Sequence, residues 1–519
     1  MAADSGPVAL PPLRGRQLPG WMWRQLTSMR TALILLLLLA LASIPGSVFP
    51  QRGNNPLRVD QWFAENPRFS PFFDRLGFFD VYSSPWFAAV YLLLFVSLVG
   101  CVLPRTLQYW ATLRAPVPPA PRRLDRLPTH RELIADAVPA EVIAAATSRL
   151  RSGRWRTRLP DPESTDAWVA AEKGYLREVG NLVFHLSLIV LLIGVAVGGL
   201  FGWKGNVIVK EGDGFSNTLT QYDAWGGGRF VDPGALAPFS FTLNTFTAEF
   251  QRGDAERGSP TRFEADVTYR SSPSTTATSM LIEVNEPLEA SGAKVFLVGH
   301  GYAPRFVVTD STGKTVFDDT VVFLPQDGAM TSTGVVKIPD ATPSMGLNAI
   351  FAPTASVDAV RGPFSTFPSP DYPAVFLAAF TGDLGLDSGR PQSVYTLKTD
   401  NLTQVGLTSL VPGQTWTLDD GLGTVTFTGF ERWASFQIAS DPGKEVVLVS
   451  AVAAMLGLLV SLFVKRRRVW VRAIPLPNGR TRVQVGGLAK SDGYEVVGEV
   501  ENLARHLAAL PPGEGARVI

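Results

Sequence analysis

Gly180-Asn181-Leu182-Val183-Phe184-His185-Leu186-Ser187-Leu188-Ile189-Val190 opens an apolar run that continues without a charge to Trp203. The run, residues 180–203, is 24 residues long, enough to cross a bilayer as a helix. One histidine stands inside it. A ring that ionises near neutral pH and binds metals is costly in hydrocarbon, so it is expected to face a protein interior and to mark a pathway or ligand site. The competing reading is a neutral histidine bonded to a neighbouring helix as packing glue.

Three further segments reach membrane length. Thr31 to Phe49 is nearly all Leu and Ala; Trp86 to Leu103 ends at Pro104-Arg105; Val446 to Val464 stops against Lys465-Arg466-Arg467-Arg468. Ala40-Leu41-Ala42 resembles a signal cleavage site. The long preceding region and the three later spans favour a retained helix.

Charge sets the expected topology. The N-terminal stretch carries Arg14, Arg16, Arg24 and Arg30 against Asp4, and residues 105–179 hold 13 Arg and Lys against 9 Asp and Glu. With the basic run after the last span, these belong in the cytoplasm under the positive-inside rule. Residues 50–85 hold four charges of each sign, and residues 204–443 hold 15 basic and 26 acidic residues; both are expected outside. The expectation is a membrane α+β protein: four transmembrane helices with a large extracytoplasmic β-rich domain between the third and fourth. In order these are a cytoplasmic N-terminus (1–30), a first span (31–50), an external loop (51–85) and a second span (86–104). A small cytoplasmic α+β segment (105–179), a third span (180–203), the β-rich domain (204–443), a fourth span (444–464) and a cytoplasmic tail (465–519) follow. The chain's net charge of +1 hides this division. No strongly basic domain stands alone, which argues against nucleic acid as a partner.

Arg outnumbers Lys 37 to 10, with Ala, Gly and Pro abundant, a compositional hint of a GC-rich bacterial genome. The single cysteine, Cys101, falls in the second span, so the outer domain holds no disulfide. Without a C-x-x-C pair the chain is no dithiol oxidoreductase, and Cys101 reads as a small buried apolar residue.

Period-two alternation marks strands in the outer stretch at Phe239 to Leu243, Phe263 to Tyr269, Thr424 to Thr428 and, in part, Val316 to Phe323. Turns are expected at Gly226-Gly227-Gly228, Asp310-Ser311-Thr312-Gly313 and Asp419-Asp420-Gly421. The reading is one mainly antiparallel domain, a sandwich or open barrel, with a looser Pro-rich insertion near Pro353 to Pro373. Inside, Leu133 to Ala137, Trp155 to Leu159 and Ala167 to Ala171 read as short strands and Glu141 to Leu150 as a helix. The tail repeats the pattern, with strands Val469 to Ile474 and Thr481 to Val485 flanking Pro477-Asn478-Gly479, a hairpin turn signal, and a helix near Glu499 to Leu510.

Four segments together resemble the ResB family of System II cytochrome c biogenesis proteins, over roughly Arg24 to Leu510. They are Ser43-Ile44-Pro45-Gly46-Ser47-Val48-Phe49-Pro50-Gln51; Leu76-Gly77-Phe78-Phe79-Asp80-Val81-Tyr82-Ser83-Ser84-Pro85-Trp86-Phe87; Gly174-Tyr175-Leu176-Arg177-Glu178-Val179-Gly180 with the His185 span; and Val284-Asn285-Glu286-Pro287-Leu288 through Gly301-Tyr302. The single histidine of the third span is the most specific. The resemblance implies a plasma-membrane subunit that works with a CcsA-type membrane protein to move haem outward and attach it to the C-x-x-C-H site of apocytochrome c. The W-W-D stretch of that partner is missing here, so this chain is expected to be the non-catalytic subunit of the haem lyase (cytochrome c synthase) complex.

In this topology His185 lies about five residues into the span, roughly 7 to 8 Å below the cytoplasmic edge, a depth suited to haem arriving from inside. Asn181 lies one turn earlier on the same face, and Leu188, Ile189 and Leu192 continue it as apolar wall. Gly194 and Gly198 form a small-xxx-small pair for a close helix neighbour. A neutral imidazole is a good iron ligand, so His185 is the candidate haem-binding and metal-ligating residue. His130 and His506 fall in cytoplasmic segments, His300 reads as structural and Met455 as core. A second intramembrane histidine ligand would come from the partner.

The alternative is an apocytochrome c chaperone or scaffold that never touches haem. A secondary transporter is disfavoured by four spans and no visible inverted repeat. Hydrolysis finds no G-x-S-x-G or H-E-x-x-H motif.

Overall fold

The computed structural model describes residues 18–53, 56–164, 166–254, 256–386, 394–477, 479–489 and 496–511. Arg14 and Arg16 lie outside them. Among the described residues the helices are α1 (Leu18–Leu26), α2 (Met29–Val48), α3 (Pro56–Glu65), α4 (Ser70–Arg75), α5 (Pro85–Arg114), α6 (Pro139–Ser152), α7 (Leu176–Phe201), α8 (Lys444–Phe463) and α9 (Val497–Ala508). Four of these, α2, α5, α7 and α8, are long and apolar enough to cross a membrane. The chain forms two compact units, Met1–Ala196 with Gly443–Ile519, and Val197–Pro442.

In the first unit, Ser28 caps α2 by accepting from the Thr31 N–H, and Ser84 caps α5 with Pro85 in its first turn, where a missing N–H costs nothing. α5 runs through Pro104 to Arg114. The proline removes one helical bond, and Leu107, Gln108, Ala111 and Leu113 beyond it are all favourable helix formers. Between α2 and α5 the first two family-like segments pack on each other. The Phe49 ring lies 5.4 Å from Phe78 and 5.8 Å from Phe79, and the Gln51 amide donates to the Phe78 carbonyl at 2.9 Å while its oxygen accepts from the Val81 N–H. Arg52 bridges Asp74 and Asp80 at 2.6 and 2.5 Å. A Cβ on Gly46 would stand 2.8 Å from the Tyr82 ring, so a larger residue there would have to displace that ring.

Residues 105–179 and the tail after α8, read separately from the sequence, supply the two halves of one sheet. Its strands run in the order Thr129–Ala135, Thr481–Ala489, Arg467–Pro475, Ala167–Lys173 and Arg156–Arg158, all antiparallel. Val469 pairs with Ala171 and Val471 with Val169, so the join is made at the middle of the sheet. Either half alone would leave an open strand edge and an uncovered apolar face. Helices α6 and α9 cover one face through Val142, Leu150, Val500 and Leu507, all buried with Val471 and Val485. Strands Arg467–Pro475 and Thr481–Ala489 form the expected hairpin. Its Asn478 lies outside the described residues, and Gly479 takes a φ of 76°.

The second unit is β-rich, and every ladder named below is antiparallel. Strands Ala293–Thr309 and Thr424–Ser440, 17 residues each, pair along their length. The expected single domain is one compact unit, and it holds two cores. One end of the pair packs with Ser240–Phe250 and Pro260–Arg270 around Phe241, Val295 and Phe436. The other packs with Met345–Ala352 and Ala374–Thr381 around Phe306, Leu347 and Phe427. Bulges at Leu297/Gly299 and Arg305/Phe306 interrupt the register. A bulge adds one residue to one strand. Val298 is the extra residue of the first bulge and Thr428, on the partner strand, that of the second, so inward positions of the first strand pass from odd numbers (Val295) to even ones (Phe306, Val308), which breaks the period-two signal in the sequence.

Two local expectations are corrected. Gly226 and Gly227 belong to strand Ala224–Gly227, paired with Trp203–Asn206, rather than to a turn; a Cβ on Gly228 would lie 2.5 Å from the Leu200 backbone, so close approach explains that glycine. The Pro-rich stretch is a hairpin, Ala355–Asp358 with Gly362–Ser365, anchored by the buried Phe367, and not a loose insertion. Asp310 does make its turn, accepting from the Thr312 and Lys314 N–H groups at 2.8 and 3.0 Å.

Candidate functional site

Helix α7 presents two different faces. Gly180, Ser187 and Gly194 are buried on one, spaced by seven residues and so nearly in line. Gly180 meets Gly457, which with Ser450 and Ala454 is buried on α8, and Gly194 meets Val446 and Val447. A Cβ on Gly457 would lie 2.7 Å from the Gly180 carbonyl oxygen and 2.7 Å from the Phe184 nitrogen; one on Gly194 would lie 2.9 Å from the Val447 side chain. This is close small-residue packing of the kind membrane helices use. Gly194 takes part in it as expected. Gly198 does not: its Cβ would meet the Asp441 carboxylate. The contact missed in the sequence, Gly180 on Gly457, had a signal in the seven-residue spacing.

His185 follows Gly180 by five residues, about 140° around the helix at 3.6 residues per turn. It therefore turns away from α8 and lines a cavity of about 440 Å³ formed with α2 and α5. Leucines from the three helices make up nearly half of the wall. The polar groups on it include Cys101, Arg105 and Tyr109 of α5 and Asn181 and His185 of α7. Leu188 and Leu192 line it as expected, whereas Ile189 is not among the lining residues. Cys101, read as a buried apolar residue, is half-buried and faces this cavity; its thiol donates to the Leu98 carbonyl at 3.3 Å. The Arg105 guanidinium donates to the Met29 sulfur at 2.8 Å, and the Tyr91 hydroxyl donates to the Leu192 carbonyl, tying α5 to α7.

The Nδ1 of His185 lies 2.8 Å from the Asn181 carbonyl oxygen. A carbonyl only accepts, so Nδ1 carries the hydrogen, and in the neutral ring Nε2 carries the lone pair. Among the described residues Nε2 has no hydrogen-bond partner. The bond is made within α7 and not to a neighbouring helix. It fixes the tautomer that leaves one basic nitrogen, the arrangement found behind metal-ligating histidines. Among the described residues no three His, Cys, Asp or Glu side chains gather to hold a metal ion; the site offers a single imidazole.

The other expected positions sort plainly. His300 sits among Phe246, Phe250 and Phe263 with ring centroids at 5.2, 6.2 and 4.7 Å. Burial, aided by Arg432, pushes its pKa down to about 4, a structural histidine. His130 is exposed and bonds the Leu127 carbonyl, and His506 is on α9. Met455, read as core, is 67% exposed on the outer face of α8.

The third family-like segment anchors the start of α7. Gly174 has φ 98°, and a Cβ there would stand 2.2 Å from the Lys465 carbonyl. The Tyr175 hydroxyl donates to Glu172 at 2.7 Å. Arg466, which follows α8, donates to Glu172 at 2.5 Å and to Glu178 at 2.9 Å, and Arg468 adds 3.0 Å to Glu172. Burial alone would raise the Glu172 pKa, but Arg466, Tyr175 and Arg468 lower it; burial and Glu172 push Tyr175 up to about 12. The fourth segment is also explained by packing, since Tyr302 donates to the Pro368 carbonyl and a Cβ on Gly301 would strike Trp433.

A family model, the ResB-like family, matches residues 29–501. Cytochrome c biogenesis protein CcsB of Thermosynechococcus vestitus is 25% identical over 293 residues, 54% of this chain and 60% of the relative. CcsB of Gloeobacter violaceus is 28% identical over 285 residues, 52% and 54% of the two chains, and cytochrome c biogenesis protein Ccs1 of Rhodomonas salina is 26% identical over 277 residues, 51% and 57%. The chain thus spans just over half the length of these relatives, and it belongs to the ResB-like family.

Proposed function

We propose that this chain is a subunit of a System II cytochrome c maturation complex. It assists haem export and the attachment of haem to apocytochrome c, alongside a CcsA-type membrane partner. The observation that carries the reading is the Nε2 lone pair of His185, fixed by the Nδ1 bond to Asn181 on an apolar cavity in a chain of this family. The residues fit haem as cargo: leucine walls suit the macrocycle, Nε2 suits the iron, and Arg105 supplies a cation for a carboxylate. With one histidine on the cavity, a second axial ligand comes from the partner.

The charge division supports a plasma-membrane protein of a bacterium with both termini inside and residues 204–443 outside. His185 then lies near the cytoplasmic end of its span, where haem enters.

His185→Ala should abolish holocytochrome c formation while protein level and membrane insertion persist, and added imidazole should restore part of the activity. His185→Leu keeps a similar volume, so its failure separates ligation from packing. Normal maturation by His185→Leu, with an unchanged Soret band in the purified complex, would overturn the ligand role and leave the scaffold reading in its place.

A further inference from the structure

A second cleft lies where α7 begins and α8 ends. It encloses about 630 Å³, and five cations line it: Arg154, Arg156, Lys173, Lys465 and Arg467. The one carboxylate on the wall is Glu172, whose oxygens are already taken by Arg466, Arg468 and Tyr175. Lys173 donates to the Gly153 carbonyl at 2.7 Å and Arg156 to the Leu113 carbonyl at 2.9 Å. Such bonds fix the position of a cation without neutralising it. Arg467 pairs with Glu499. Among the described residues Arg154, Arg156, Lys173 and Lys465 have no acidic partner within ion-pair distance.

Apolar side chains share the same wall. Leu176, the first residue of α7, is 62% exposed, and Phe463, the last of α8, is 76% exposed. Both belong to helices long and apolar enough to cross a membrane, so the cleft stands at the level where hydrocarbon gives way to water. A concentration of positive charge beside exposed apolar surface at that level matches an amphiphile with an anionic head.

We propose that this cleft binds the phosphate group of an anionic phospholipid, with the cations on the phosphate and Leu176 and Phe463 against the acyl chains. The inference rests on the two spanning helices and is independent of haem. A lipid held there would brace the start of α7 and the end of α8, the two helix ends that Arg466 already joins through Glu178.

The test uses full-length protein in detergent. Binding is read by native mass spectrometry and by thermal stabilisation on adding phosphatidylglycerol, phosphatidylcholine or inorganic phosphate. Phosphatidylglycerol should bind and stabilise, and the other two should not. Arg154→Gln with Lys465→Gln should weaken phosphatidylglycerol binding by about thirtyfold, the effect of two cations at headgroup range. Arg154→Lys with Lys465→Arg should retain it. Arg122→Gln with Arg149→Gln, an equal charge loss at exposed positions outside the cleft, should also leave it unchanged. Circular dichroism confirms that each variant is folded. Equal binding of phosphatidylcholine, full stabilisation by inorganic phosphate alone, or an unchanged affinity in the Gln pair would each overturn the proposal.

Discussion

Removing Glu172 should leave two guanidinium groups without their shared anion. The Glu172 side chain is 2% exposed and that of Arg466 5%. At about 3 Å and an effective dielectric near 20, each attraction is about 5 kcal/mol before desolvation is subtracted. Taking two ions out of water costs several kcal/mol each, so the intact pair contributes little net stability, while a lone buried partner costs about 3–5 kcal/mol. Glu172→Ala should therefore lower stability by about 3 kcal/mol, a fall of roughly 10 °C in the melting temperature of a unit of this size. Glu178 still meets Arg466 at 2.9 Å, which holds the figure at the lower end. The informative variant is Glu172→Leu with Arg466→Met, which removes both charges and keeps volume. It should recover at least half of the loss, because no buried charge is stranded. The carboxylate's lowered pKa adds a pH signature: its stabilisation is full above the unfolded value near 4.5 and is lost as pH falls through the lower folded value. The assay is thermal unfolding of the full-length protein followed by tryptophan fluorescence, with Trp168 and Trp470 buried in the same module. A single variant within 2 °C of the parent, or a double variant less stable than the single one, would refute the reasoning.

Acid should weaken the β-rich unit through His300. Its pKa is about 4 folded against 6.5 unfolded, so stability is full above pH 6.5 and falls by up to about 3 kcal/mol as pH drops to 4; His300→Phe should flatten that slope in pH-dependent melting curves. Gly457→Val should force α7 and α8 apart at a cost of about 1–3 kcal/mol, whereas Gly199→Ala, with nothing within 4 Å of the new Cβ, should be neutral or slightly stabilising; equal melting temperatures for the two would contradict the packing. Reporter fusions after Gln51 and within residues 204–443 should read external, and a cytoplasmic signal from the second would refute the topology.

Much was legible where one physical signal dominates. Leucine-rich runs without charge gave the long helices because nothing else satisfies such composition. Alternation found strands at Phe241 and Val267 because one face of each is buried. What escaped the sequence was non-local. Ala171 and Val469 sit 298 positions apart and pair at the centre of one sheet, and no local period announces a partner across that distance. The two cores of the β-rich unit were hidden by bulges at Val298 and Thr428, one on each long strand, where alternation changes phase. Cys101 looked inert since a lone cysteine in a span carries no pattern; its place on the cavity follows from how α5 packs on α2 and α7.

The candidate site shows why a single histidine was readable at all. Along α7 nearly every residue with a packing reason is small, and these fall in line at 180, 187 and 194 against α8. The tight residues at its start, Gly174, Tyr175 and Glu178, are accounted for by Lys465, Glu172 and Arg466. His185 belongs to neither group and lines the cavity instead. Its bond to the Asn181 carbonyl uses the backbone, which any residue at 181 would offer, and so Asn181→Leu should leave the tautomer intact. A side chain kept for packing alone could be leucine, like its neighbours on the cavity wall. What leucine cannot supply is a second ring nitrogen beside one already bonded to the Asn181 carbonyl, and the proposed iron ligation would use that nitrogen.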